Sequence, residues 1–242
     1  MTSTSAGKRA GPALGVIMLD TRFPRVAGDI GNPATFDFPV IYRVVAGASP
    51  ARAIGGDPSL LGGFIDAAVE LEKSGACAIT TSCGFLALFQ GEMAAAVRVP
   101  VFASSLVQIP LAWAVTGKRG KIGVLTAHSG NLTPRHLRAC GWTDDIPVIV
   151  AGLETCPAFA GAILSDGPRL DVEAVQEEVR GVTANLVREH PDAAALVLEC
   201  TNLPPYAPAI REVTSLPVFD IVTLARMVYS AVARDAVHNV QP

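Results

Sequence analysis

Residues 76–84 read Ala-Cys-Ala-Ile-Thr-Thr-Ser-Cys-Gly, and residues 194–202 read Ala-Ala-Leu-Val-Leu-Glu-Cys-Thr-Asn. Each is an apolar run of strand length that ends in a cysteine followed by small polar groups. Runs of this kind, bounded by turn-forming residues, mark strands buried on both faces, as in a parallel sheet covered by helices. The same punctuation follows both. Pro100 stands seventeen residues after Cys83, in Val99-Pro100-Val101-Phe102, and Pro217 stands seventeen after Cys200, in Leu216-Pro217-Val218-Phe219. Upstream, Gly15-Val16-Ile17-Met18-Leu19 is answered by Gly123-Val124-Leu125-Thr126. The halves read as two copies of one βα design, with Gly117-Lys118-Arg119-Gly120 as the seam.

The same reading places strands at 14–19, 76–81, 99–103, 121–126, 147–151, 194–199 and 217–221. Two helices are strongly signalled. Over 57–75, Asp57 can cap, Pro58 suits the first turn, and Leu61, Phe64, Ile65, Ala68 and Leu71 recur at helical spacing until Gly75. Over 171–191, Val172, Val175, Val179, Val182 and Leu186 form one stripe. Alternation of strands and helices predicts a doubly wound α/β architecture. A final helical stretch from Thr223 onward is expected to return to the first half. The first lobe is therefore drawn as 13–117 plus about 222–242, the second as 118–221, and 1–12 as a disordered tail.

Half of the 242 residues are hydrophobic and 17% are charged, which excludes intrinsic disorder. With 19 Lys and Arg against 22 Asp and Glu, and no basic block, no phosphate-tracking surface is signalled, so nucleic acid is not an expected partner. Five cysteines without a CxxC pair argue against both a disulfide scaffold and a zinc site. The apolar region 99–115 is broken by Pro100, Gln108 and Pro110 and fits a strand, a loop and a helix rather than a membrane span. Cytoplasmic localisation and a homo-oligomer are expected. The expected ligand is a small carboxylic acid.

In an open parallel sheet, ligands bind beyond the carboxyl ends of the strands. Cys83, Cys200, Asp20 and His128 all fall there. Two lobes facing each other would bring both thiols to one cleft, where one can take a proton from carbon and the other deliver one. Hydroxyl and amide groups at Thr81, Ser82, Thr201 and Asn202 are placed to hold a carboxylate. Each residue also has a plainer reading: a free cysteine after a strand is commonly a small buried hydrophobe, Asp20 can cap a turn, and His128 can be a loop residue or helix cap. Cys77 is read as core, Cys140 and Cys156 as packing or surface, and His136, His190 and His238 as solvated. The glycine-rich 28–33 segment lacks a phosphate-loop pattern and reads as a loop over the cleft.

With these motifs the chain resembles the aspartate/glutamate racemase superfamily, which includes hydantoin racemases, maleate isomerases, arylmalonate decarboxylases and algal dimethylsulfoniopropionate lyases. The resemblance implies two pseudo-symmetric flavodoxin-like lobes, no metal or organic cofactor, and Cys83 and Cys200 as proton donor and acceptor. It further implies that Asp20 supports Cys83 and that Thr81, Thr126 and Thr201 help hold a carboxylate. Where amino-acid racemases carry Asp-Ser-Gly this chain has Asp20-Thr21-Arg22, and where they carry Cys-Thr-His or Cys-Thr-Glu it has Cys200-Thr201-Asn202. The stretches 28–33 and 199–206 look more like the algal lyase branch. Racemisation or isomerisation is the first expectation and elimination the second. A small-molecule binding module is the alternative outside enzymes, and a nucleotide- or flavin-binding protein is disfavoured by the missing fingerprints.

Overall fold

A computed structural model describes residues 11–233. Most of the expected tail, His238 and the last part of the expected final helix lie outside them. Four strands, β1 (Ala13–Leu19), β2 (Val40–Val45), β3 (Ala76–Thr81) and β4 (Val101–Phe102), form a parallel sheet in the order β2-β1-β3-β4. A second parallel sheet, from β5 (Lys121–Thr126), β6 (Val148–Gly152), β7 (Ala193–Leu198) and β8 (Val218–Phe219), has the matching order β6-β5-β7-β8. The repeat reaches the register. Gly15 pairs with Ile79 and Gly123 with Leu196, and the ladder slips once at the start of each lead strand, at Ala13/Leu14 and Lys121/Ile122.

The helices are α1 (Pro50–Ile54), α2 (Leu61–Lys73), α3 (Gln90–Ala96), α4 (Ile109–Val115), α5 (Pro134–Ala139), α6 (Pro157–Phe159), α7 (Val172–Glu189), α8 (Ala207–Val213) and α9 (Ile221–Val232). Glycine is needed at two equivalent points. A Cβ on Gly15 would press on Leu71 of α2 at 3.1 Å, and one on Gly123 would press on Leu186 of α7 at 3.1 Å. Leaving those positions bare lets each long helix lie close on its lead strand.

Several boundaries differ from the sequence expectation. β2 was not anticipated; it is an edge strand, with Arg43 and Val44 exposed, so it lacks the continuous apolar run used to find the others. The strand expected at 217–221 stops at Phe219, because the Asp220 carboxylate accepts from Thr223 N–H at 2.7 Å and starts α9 at Ile221. The strand expected at 99–103 keeps only two residues. Pro58–Leu60 forms a 3-10 turn before α2, with Asp57 accepting from Ser59 N–H. His136 is not solvated: it is 3% exposed, its Nδ1 accepts from Thr133 N–H, and its ring meets Phe85 edge-on. Cys77 is half-buried rather than core.

One apolar cluster runs through both lobes and includes Leu71, Ile79, Leu186 and Leu198. A second is built where α9 lays Ile221, Val222, Leu224 and Ala225 against Leu14, Val16, Ala78 and Phe102. The end of the described chain thus covers one face of the first sheet. Among the described residues no helix is long and apolar enough to cross a membrane. Leu224→Ala should lower unfolding free energy by about 2–5 kcal/mol, the usual cost of a buried leucine, read as a lower urea midpoint at unchanged slope. A change under about 0.5 kcal/mol, the scale of surface substitutions, would contradict this packing.

Candidate active site

The last ladder bonds of the two central strands are equivalent: Ser82 N–H donates to Ile17 O at 2.9 Å, and Glu199 N–H to Leu125 O at 2.8 Å. One residue later, at Cys83 and Cys200, the chain leaves each sheet. Both cysteines line one small cleft, together with Ser82, Gly84, Thr201 and Asn202. The two turns are tied directly, because Thr201 Oγ1 donates to Ser82 O at 2.6 Å in the buried interior. A Cβ on Gly84 would fall inside the contact radius of the Glu199 carbonyl oxygen and of Glu199 Oε1, so only glycine fits. At the rim, the Arg22 and Phe23 N–H groups both donate to Asp166 Oδ1, at 2.6 and 3.3 Å, fastening the two lobes together.

Ser82, Cys83, Cys200, Thr201 and Asn202 meet in the cleft. Thr81, Thr126, His128 and Asp20 lie outside its lining. Thr81 Oγ1 donates to Ala103 O at 2.7 Å and accepts from Cys83 N–H at 3.3 Å, which fixes the turn. Thr126 Oγ1 donates to Glu199 Oε2 at 2.7 Å. Asp20 is exposed and accepts from Gly47 N–H at 3.0 Å. His128 donates its N–H to Thr126 Oγ1 at 3.4 Å, and its Nδ1 is buried with no partner.

Burial, then the Glu199 carboxyl, pushes the Cys83 thiol up to about 12; the N–H groups of Phe85 and Leu86 and the Arg25 guanidinium pull the other way. Burial also pushes Cys200 well above the ordinary thiol range. There Glu199 and Asp29 add to the effect, and the Asn202 N–H opposes it. The Cys200 thiol faces Asn202 Oδ1 at 3.7 Å, an acceptor that favours the protonated form. The surroundings therefore differ in kind: N–H groups and a cation act on Cys83, whereas a carbonyl-type acceptor faces the Cys200 thiol, which favours ionisation at Cys83.

Four participants had no sequence signal strong enough to single them out. Asn202 Nδ2 donates to Asp29 Oδ2 at 2.7 Å, across 173 residues, and Arg25 Nη1 donates to Asp29 Oδ1 at 2.9 Å. Arg25 also lies over the Phe23 ring, 4.7 Å from its centroid. The 28–33 segment thus reaches the site through Asp29, which orients Asn202 against Cys200. Glu199 is the fourth. It is fully buried, and burial raises its carboxyl to about 7 despite bonds from Thr126 and the Ala127 N–H. A glutamate closing an apolar strand was the available clue. Among the described residues no group of three or more His, Cys, Asp or Glu is arranged to hold a metal ion.

Residues 45–227 match the sequence family described as Asp/Glu/hydantoin racemase. A dimethylsulfoniopropionate lyase of Durusdinium sp. clade D is 35% identical over 221 residues, 88% of this chain and 72% of that protein. Dimethylsulfoniopropionate lyase 3 of Emiliania huxleyi (strain CCMP1516) is 35% identical over 222 residues, 88% of this chain. The chain spans only 57% of the length of that Emiliania protein. Among solved structures, unliganded arylmalonate decarboxylase superposes with a TM-score of 0.57 at 14% identity, covering 93% of this chain and 97% of that one. Picrophilus torridus aspartate racemase gives 0.58 at 15% identity, covering 93% and 96%. These two share the fold.

The unequal fields at the sulfurs make a direct prediction. Iodoacetamide labelling followed by mass spectrometry across alkaline pH should modify Cys83 before Cys200, with the Cys83 rate rising at lower pH. Equal rates, or Cys200 ahead, would contradict the electrostatic ordering.

Proposed function

The chain belongs to the Asp/Glu/hydantoin racemase family, and from that premise we propose that it is a cofactor-independent lyase of the dimethylsulfoniopropionate type. In the proposed step a cysteine thiolate takes a proton from the carbon beside the substrate carboxylate. The released electron pair forms the carbon–carbon double bond, and the bond to sulfur breaks with its pair on sulfur. Acrylate and dimethyl sulfide leave, and the thiol returns its proton to water. Cys83 is the base that the local field favours, and Cys200 is the second thiol of the cleft.

The observation that carries this reading over amino-acid racemisation is the character of the cleft walls. Leu19, Phe23, Pro50, Ile54, Phe85 and Ile163 supply apolar groups to the lining, two of them aromatic. A sulfonium has no N–H to satisfy and is stabilised by aromatic faces. An ammonium buried against the same wall would leave donors unpaired, which is costly. The relatives at 35% identity carry the lyase name, which supports the same choice.

Racemisation or isomerisation of a small carboxylic acid is the second reading. It is favoured by the two thiols at equivalent strand ends lining one cleft. The readings separate by mutagenesis, because a lyase needs one base whereas a racemase needs both thiols to move a proton between opposite faces. Proton NMR in heavy water with dimethylsulfoniopropionate should show acrylate formation. Cys83→Ser should reduce kcat by about 10²–10⁴-fold, the usual loss with a general base, and Cys200→Ser by less. Deuterium exchange into an amino acid or hydantoin, abolished by either substitution and without elimination, would replace this reading by the second one.

A further inference from the structure

The mechanism above uses the thiols and leaves a buried carboxyl between them without a task. Glu199 has two unequal oxygens. Oε2 accepts from the Thr126 hydroxyl at 2.7 Å and is backed by the Ala127 N–H. Oε1 is buried and has no hydrogen-bond partner. It lies against Gly84, in the space a side chain there would need, so it sits between the turns that carry Cys83 and Cys200, in a residue that lines the cleft. An unpaired buried oxygen costs free energy unless something satisfies it.

The pseudo-symmetry gives this oxygen a counterpart. Ser82 precedes Cys83 as Glu199 precedes Cys200, and Ser82 Oγ accepts from Leu19 N–H at 2.9 Å, as Glu199 accepts from the Ala127 N–H at the end of the other lead strand. Ser82 thereby keeps its own hydroxyl proton for a ligand. With Oε2 acting as acceptor, an un-ionised Glu199 carries its proton on Oε1 and keeps it for a ligand too.

We infer that Glu199 is a further catalytic residue, an un-ionised carboxylic acid whose Oε1 hydroxyl donates to the substrate carboxylate and strengthens that bond as the carboxylate becomes an enediolate. The inference rests on the proposed removal of a proton beside a carboxylate. A donor of this kind acts mainly in the transition state, because charge builds on the carboxylate oxygens only as the proton leaves. Glutamine at 199 keeps a donor and cannot ionise; alanine has no donor.

The carboxyl ionises near 7, pushed up by burial, so the donor form holds below that pH and is lost above it. Three thiols lie within reach of its charge. Cys83 and Cys140 are pushed up to about 12 by burial and stay neutral across this range, and burial also raises Cys200. Asp29 is held in its pair with Arg25, and His128 follows Thr126 and Ala127 at the end of β5.

The test uses the intact chain and acrylate, a carboxylate probe, followed by calorimetry from pH 5 to 9. Wild-type affinity should be flat at low pH and fall tenfold per unit above about 7, with proton uptake on binding. Glu199→Gln should bind with pH-independent affinity and no proton uptake, and should lose the alkaline limb of the kcat profile. Glu199→Ala should lower kcat by about 10²–10³-fold with a smaller change in KM, as when an oxyanion donor is removed. Acrylate that binds wild type and Glu199→Gln with the same pH dependence would overturn the role of Glu199 while leaving the carboxylate site standing. Failure of acrylate to bind at any pH would overturn the carboxylate reading and this inference with it. The protonated-carboxyl infrared band, present in wild type at pH 6 and absent in Glu199→Gln, provides a readout that needs no turnover; its absence from wild type would also overturn the inference.

Discussion

At Gly84 the two lobes come so close that no side chain fits: the space is filled by the backbone and carboxyl of Glu199 from the other half of the chain. That steric constraint, with the buried bond from Thr201 to the Ser82 carbonyl, holds the ends of β3 and β7 together. A single buried hydrogen bond contributes only about 1 kcal/mol net. Its value here is geometric, since it fixes one cysteine turn against the other. The thiols share one small cleft because the strand ends cannot drift apart.

Everything around this junction serves either to position or to dry it. The glycines at 15 and 123 let α2 and α7 sit low on their lead strands, and α9 closes the first sheet from the other face. Asp29, paired with Arg25, comes from the opposite lobe to hold Asn202 beside Cys200. The result is a dry site in which burial raises both thiols and the Glu199 carboxyl. Dryness disfavours a resting thiolate, but it also makes each N–H, hydroxyl and cation at the site count for more than it would in water.

Much of this was legible in the sequence because repetition made it so. The paired apolar runs, the equal spacing from each cysteine to the following proline, and the matching glycines located the central strands and the convergence of Cys83 with Cys200. What stayed hidden was whatever depends on a loop returning to the other lobe. Asp20 is next to a strand end, yet the loop after β2 brings Gly47 to its carboxylate instead of a thiol. Asp29 acquires its meaning only from Asn202, 173 residues away. β2 escaped because an edge strand need not be apolar on both faces. His136 read as solvated because local polarity says nothing of the Phe85 ring that covers it.

The central claim is that Cys83 and Cys200 face one another across a single cleft. The most direct measurement is reaction with dibromobimane, a reagent that joins two neighbouring thiols and fluoresces when it does, in a variant with Cys77, Cys140 and Cys156 replaced by serine. One bimane per chain, with peptide mapping that links Cys83 to Cys200, is the expected result. Separate adducts at the two cysteines, with no bridged peptide once both have reacted, would contradict the account.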